Sequence, residues 1–99
     1  MYFKFGVDSF IWTENFMEKD LWIIEKAKQI GFEVIDFAIA NPYTFPVETV
    51  KKELDRVGID CVCTTTLTLN TNPISPDAQI RKAAIGAMKK CVDICNQLK

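Results

Sequence analysis

The sequence predicts an α/β fold with parallel strands, built from three strand-loop-helix units. Three observations carry this reading. Strand-like runs begin near residues 2, 34 and 59, a period of roughly 25 to 32 residues, which is the size of one βα unit. Each run leads through a loop into an amphipathic helical pattern. Gly31 and Gly58 stand where the first two helices should stop. Strands joined through helices must run parallel, and right-handed crossovers place the helices on one face.

The first unit opens with an alternating strand, Tyr2 to Asp8. Phe3, Phe5 and Val7 point one way, Lys4, Gly6 and Asp8 the other. A loop rich in rings follows, with Phe10, Trp12 and Phe16. Helix one is expected from about Asp20 to Ile30, with the stripe Ile23, Ile24, Ala27 and Ile30.

In the second unit, Ile35, Phe37 and Ile39 form the apolar face of a strand from Val34 to Ile39, and Val34, Asp36 and Ala38 the other. Asn41-Pro42 breaks it into a loop holding Tyr43 and Phe45. Pro46 suits the first turn of the next helix, where its missing amide costs nothing. Val47, Val50, Leu54 and Val57 give that helix the clearest amphipathic pattern in the chain.

The third unit runs through IDCVCTTTLTLNTNPISPDAQIRKA, residues 59–83. Ile59, Cys61 and Cys63 share one strand face; Asp60, Val62 and Thr64 share the other. A long polar loop leads to a helix from about Pro76 to Leu98, with Ser75 as its expected N-cap and Asp77 complementing the dipole. Its stripe is Ile80, Ala84, Ala87, Met88, Cys91, Cys95 and Leu98. On all three strands the less greasy face ends in a polar residue, Asp8, Asp36 or Thr64. That pattern reads as a barrel interior opening into a pocket, although three units also fit a small open sheet.

Composition narrows the function classes. The 99 residues make one domain at most, 48% hydrophobic and 25% charged, an ordinary globular balance. Net charge is −1, from 12 basic and 13 acidic residues evenly scattered, so nucleic acid is a poor partner. No apolar run approaches the ~18 residues that span a membrane, and the N-terminus lacks the pattern of a signal peptide. Four cysteines without an export signal point to the cytoplasm and free thiols. Histidine is absent, which removes the commonest general base and zinc ligand.

KFGVDSFIWT, EKAKQIGFEVIDF and ISPDAQIRKAAIGAMKKCVDICNQL together resemble the D-tagatose 3-epimerase and D-psicose (allulose) 3-epimerase family of sugar epimerases. The best motifs are Gly6-x-x-x-Phe10-x-Trp12 and the Ser75-Pro76-Asp77 helix start followed by Arg81. The resemblance implies an α/β, parallel-stranded (βα)3 fragment of a TIM (βα)8 barrel, a single partial domain over residues 1–99. It also implies a divalent metal (manganese, cobalt or magnesium) in the full-length parent, held by two glutamates, an aspartate and a histidine on later strands. The two glutamates there move the proton at C3 of a ketose through an enediolate. None of those four positions lies in this chain, so the expectation is a share of the sugar pocket without catalytic or metal residues.

By position, that share is Trp12 and Phe16 after strand one, Asp8, Asp36 at the end of strand two, and Thr64. Asp8 stands where relatives have Asn or a ring, and Thr64 where some have Cys or Gly. Each has a plainer reading too. Asp8 and Asp36 as polar filling at a barrel mouth is the favoured one, although two acids on one wall should raise one pKa. Trp12 and Phe16 either wall a sugar or cover the end of the core. Cys61, Cys63, Cys91 and Cys95 read as core packing rather than zinc ligands. The threonines 64, 65, 66 and 68 suit a strand end better than a phosphate cradle, and the paired lysines 51–52 and 89–90 are solvated helix faces.

Three parallel strands leave two bare edges, so self-association, or pairing with the rest of a barrel, is expected. Rival readings are a small binding or self-assembly module and a four-cysteine thiol or metal module.

Overall fold

The computed structural model describes residues 3–99. The expected start of the first strand at Tyr2 lies outside that range, and residues 3–5, also expected in it, precede the strand that begins at Gly6. Six main elements alternate: β1 (Gly6–Asp8), α1 (Trp22–Ile30), β2 (Val34–Ile39), α2 (Val47–Val57), β3 (Asp60–Thr65) and α3 (Ala78–Leu98). The strands form one open sheet in the order β1-β2-β3, both pairs parallel. The three βα units are therefore present as read from the sequence.

Local chemistry sets the boundaries. Before α1 the chain makes a 3-10 turn, Glu18–Asp20, where the buried Asp20 carboxylate accepts from the Met17 amide at 3.0 Å. That turn moves the start of α1 two residues beyond the expected Asp20. Gly31 (φ 116°) and Gly58 (φ 75°) end α1 and α2 in the left-handed conformation that glycine adopts without a Cβ penalty. The cap of α3 is Asp77, whose carboxylate accepts from the Gln79 amide at 2.8 Å. Ser75, the expected cap, is buried two residues earlier and accepts from the Asp77 amide at 3.1 Å.

The core lies between the sheet and the three helices. Ile35, Phe37 and Ile39 of β2 are fully covered, as the alternation requires for a central strand. Phe16, Phe37 and Phe45 form an aromatic cluster with centroids 4.8, 6.0 and 5.5 Å apart. Val50 and Leu54 come from α2; Ala84, Ala87, Cys91, Ile94 and Leu98 come from α3.

Several expected contacts are not made. Phe3 and Phe5, just ahead of β1, are 65% and 72% exposed. Ile30 is 53% exposed at the end of α1. On α3 the covered stripe includes Ile94, absent from the expected set, while Met88 turns partly to solvent. In a 21-residue helix at 100° per residue the covered line drifts, so a stripe drawn at spacings of three and four can slip by one position.

Candidate functional site

The uncovered face of the sheet carries the candidate polar residues. Side chains alternate along each strand, so Gly6 and Asp8, then Val34, Asp36 and Ala38, then Asp60, Val62 and Thr64 look the same way. Lys4, Gly6, Asp8, Val34, Asp36 and Val62 line a shallow concavity of about 520 Å³. At its lower end Lys4 pairs with Asp60 across the face. Gly6 is required by close approach: a Cβ there would stand 2.8 Å from the Val34 carbonyl oxygen and 2.9 Å from the Val34 Cβ.

Two acids sit side by side on this face, at the carboxyl end of β1 and midway along β2. Asp8 and Asp36 are register partners on neighbouring strands. Thr64 lies opposite Ala38, yet its hydroxyl reaches back diagonally to Asp36, 2.8 and 2.7 Å from the two carboxylate oxygens. Asp8 turns its Oδ1 toward the amide of Phe10 at 2.8 Å. Burial lifts the Asp36 pKa above the usual carboxylate value; the Thr64 donor works against this, and the charge of Asp8 adds to it. The acid pair and threonine are thus one hydrogen-bonded, electrostatically connected group.

The two aromatic candidates are placed differently. Trp12 is partly buried against the end of the core, edge-on to Trp22 with centroids 6.2 Å apart and planes at 76°. Phe16 is fully buried in the core on the helix side of the sheet, so its ring offers no surface to a ligand.

Two residues escaped the sequence reading. Ser9, fully buried, accepts from the Ala38 amide through Oγ at 2.9 Å. Asn15 accepts from the consecutive amides of Ala40 and Asn41 through Oδ1, at 3.1 and 2.9 Å. Strand lengths hold the only signal: β1 is shorter than β2, so backbone groups at the end of β2 need partners from elsewhere.

The cysteines lie on the helix side. All four are free; Cys91 is buried in the core, and Cys61 and Cys63 pack against it. Burial pushes the Cys61 thiol up to about 11, and burial together with a hydrogen bond to Cys95 pushes Cys63 higher. Cys61 and Cys63 are thus protonated thiols packed against the core rather than nucleophiles. Among the described residues no group of three or more His, Cys, Asp or Glu side chains could hold a metal ion. Two acids and a hydroxyl do not fit a divalent catalytic centre, which needs a larger converging donor set. What the floor offers is carboxylate oxygens, which are hydrogen-bond acceptors.

A parallel βα sheet with polar residues gathered at its carboxyl edge is the construction of barrel proteins that bind ligands at that end. Comparison with known proteins identifies the family. Residues 24–99 match the Xylose isomerase-like TIM barrel, and the chain belongs to that family. It is 26% identical to the ketose 3-epimerase of Arthrobacter globiformis over 96 residues, covering 96% of this chain and 33% of the relative. With the probable ketose 3-epimerase of Synechocystis sp. the identity is 25% over 96 residues, covering 95% and 33%. The D-allulose 3-epimerase of Methylomonas sp., solved in complex with D-allulose, superposes with a TM-score of 0.88 at 20% identity, over 96% of this chain and 33% of that one. The chain spans about a third of the length of the curated relatives it matches.

Proposed function

We propose that this chain supplies the first three βα units of a metal-dependent ketose 3-epimerase barrel, contributing part of the sugar pocket to C3 epimerisation of a free ketohexose. One observation carries this: Asp8 and Thr64, near the carboxyl ends of β1 and β3, gather with Asp36 of the central strand on one face of a parallel sheet, in a chain similar to ketose 3-epimerases along nearly all its length.

The division of labour follows from the residues. Carboxylates accept hydrogen bonds from sugar hydroxyls, and Asp36, held by Thr64, presents a fixed acceptor. Asp8 sits beside it as a second acceptor. Trp12, in the β1–α1 loop and packed partly against the core, would serve as the aromatic side of the wall, with Phe16 supporting that loop from within the core. The divalent metal and the carboxylates that move the C3 proton belong to later strands of the barrel. We place the protein in the cytoplasm, a setting that four free thiols suit.

The test has two arms. Purified chain with manganese and D-fructose or D-tagatose should show no epimerisation. Mixed or fused with the part of the Arthrobacter globiformis enzyme that follows its first third, it should restore turnover, and Asp36→Ala should abolish the gain. Turnover by the chain alone, or none from a folded hybrid, overturns the proposal.

A second reading, a self-assembling or binding module without chemistry, draws on the exposed apolar residues Phe3 and Phe5 beside β1 and Ile85 and Val92 on α3. Its mark would be stable oligomers that gain nothing from the rest of a barrel.

A further inference from the structure

We propose that Asn15 is the positioning residue of the pocket mouth, fixing the β2–α2 loop against the β1–α1 loop before a ligand arrives. The ligand in this statement rests on the pocket reading above; the clamp rests on geometry alone.

The need for a clamp arises from unequal strands. β1 stops at Asp8, whose register partner is Asp36, but β2 continues to Ile39. In a parallel pair, alternate residues of a strand direct their backbone groups to the same neighbour. Beyond Asp36, the groups of Ala38 and Ala40 therefore face a place where β1 no longer runs. The β1–α1 loop fills it. Ser9 Oγ accepts from the Ala38 amide, the Phe16 amide donates to the Ala38 carbonyl at 2.9 Å, and Asn15 Oδ1 accepts from the amides of Ala40 and Asn41. Two side chains and one loop amide replace the missing strand.

Asn15 is the outermost of these ties and the one that reaches into the next loop. Asn41 itself accepts from the Tyr43 amide at 3.0 Å, starting the 3-10 turn Pro42–Thr44. On the far side of that turn, the Tyr43 hydroxyl approaches α3, 3.5 Å from where a Cβ on Gly86 would stand. The turn is thus held by Asn15 on one side and packed against α3 on the other. The next strand is tied in as well, since Thr65 Oγ1 donates to the Ile39 carbonyl at 2.8 Å. Fixing the loops that rim a polar floor reduces the ordering a ligand must impose, which raises affinity without adding a contact.

Asn15 acts here as an acceptor only, because both partners are backbone N–H groups. That predicts an unusual substitution pattern. Asn15→Asp keeps an acceptor of the same shape, while Asn15→Ala removes it and leaves two amides to water.

The experiment uses the 99-residue chain, with amide hydrogen exchange and D-fructose or D-allulose titration both read by NMR. Asn15→Ala should speed exchange at Ala40 and Asn41 roughly tenfold or more. The amides of Ile35 and Phe37 should exchange as before. Sugar-induced shifts at Asp36 and Thr64 should require about tenfold more ketose, and Asn15→Asp should restore both readouts. Unchanged exchange at Ala40 and Asn41 overturns the clamp, as does equal acceleration at Phe37, which marks general destabilisation, or failure of Asn15→Asp to rescue. If the unmodified chain shows no ketose shifts, the pocket reading falls and exchange alone decides the clamp. If it binds and Asn15→Ala binds equally well, the positioning role falls while the pocket stands.

Discussion

The Thr64 hydroxyl lies 2.7 and 2.8 Å from the two oxygens of the Asp36 carboxylate, although Thr64 is the register partner of Ala38. The contact is diagonal, across two residues of neighbouring parallel strands. It ties the carboxyl end of β3 to the acid at the centre of the sheet. Asp8, on the other side of Asp36, adds like charge. Donor and repeller thus act on one carboxyl from opposite strands.

Asp36 should make the fold pH-sensitive in a definite direction. Its pKa is raised in the folded chain, by burial first and then by Asp8. The folded state therefore binds the proton more tightly than the unfolded one. The stability this contributes is full below the ordinary carboxylate value of ~3.9 and is lost as pH rises through the folded pKa. Asp36→Asn, neutral at every pH, should raise the melting temperature at pH 7 by about 1–3 °C, a small figure because the group is partly solvated. The advantage should vanish near pH 3. A melting temperature that falls at pH 7 contradicts this.

Gly6 and Gly86 should respond oppositely to alanine. At Gly6 a Cβ meets the Val34 backbone at 2.8 Å, and a backbone atom cannot swing aside. Gly6→Ala should cost about 1–3 kcal/mol in urea unfolding and disturb the pairing of β1. At Gly86, inside α3, the nearest group is the Tyr43 hydroxyl at an ordinary 3.5 Å. Gly86→Ala should stabilise by roughly 0.5–1 kcal/mol, because alanine loses less backbone freedom in a helix. Denaturation midpoints of the two variants check both signs.

Phe16 belongs to the core. Its ring packs edge-on to Phe37 at 4.8 Å and against Phe45 at 6.0 Å, with no exposed surface. Phe16→Ala should cost about 3–5 kcal/mol and leave a chain of this size largely unfolded. Phe16→Leu, which refills most of the volume, should fold with a lower melting temperature and bind ketose as before. A changed sugar affinity with an unchanged melting temperature would restore Phe16 to the pocket wall.

The bare faces should drive association. Val92 is 68% exposed beside Ile85 on α3, and Phe3 and Phe5 are uncovered near β1. At low micromolar concentration, light scattering should report a mass above that of one chain, and Val92→Lys with Ile85→Lys should lower it. A well-folded monomer at that concentration counts against this expectation.

The strands, their order of use along the chain and their parallel sense were legible because alternation, glycine stops and helical stripes are local properties. Ile35, Phe37 and Ile39 were identified as an apolar face from spacing alone, and they are covered. Asp8, Asp36 and Thr64 fall together for the same reason, since period two fixes which side of a strand a residue takes. Phe16 illustrates the limit. Its sequence neighbourhood, a loop of large rings, does not say which way a ring turns once the chain leaves the strand.

Sequence by itself thus determined the three repeats, the parallel sheet and the polar face, since each depends on periodicities of two or 3.6 residues within one element. Tertiary structure decided that Thr64 bonds to Asp36 rather than to its register partner, that Phe16 enters the core, and that Ser9 and Asn15 finish the edge of β2. Those outcomes join residues as much as 29 positions apart and depend on the relative lengths of neighbouring strands. Only the assembled sheet defines which backbone groups are left wanting partners.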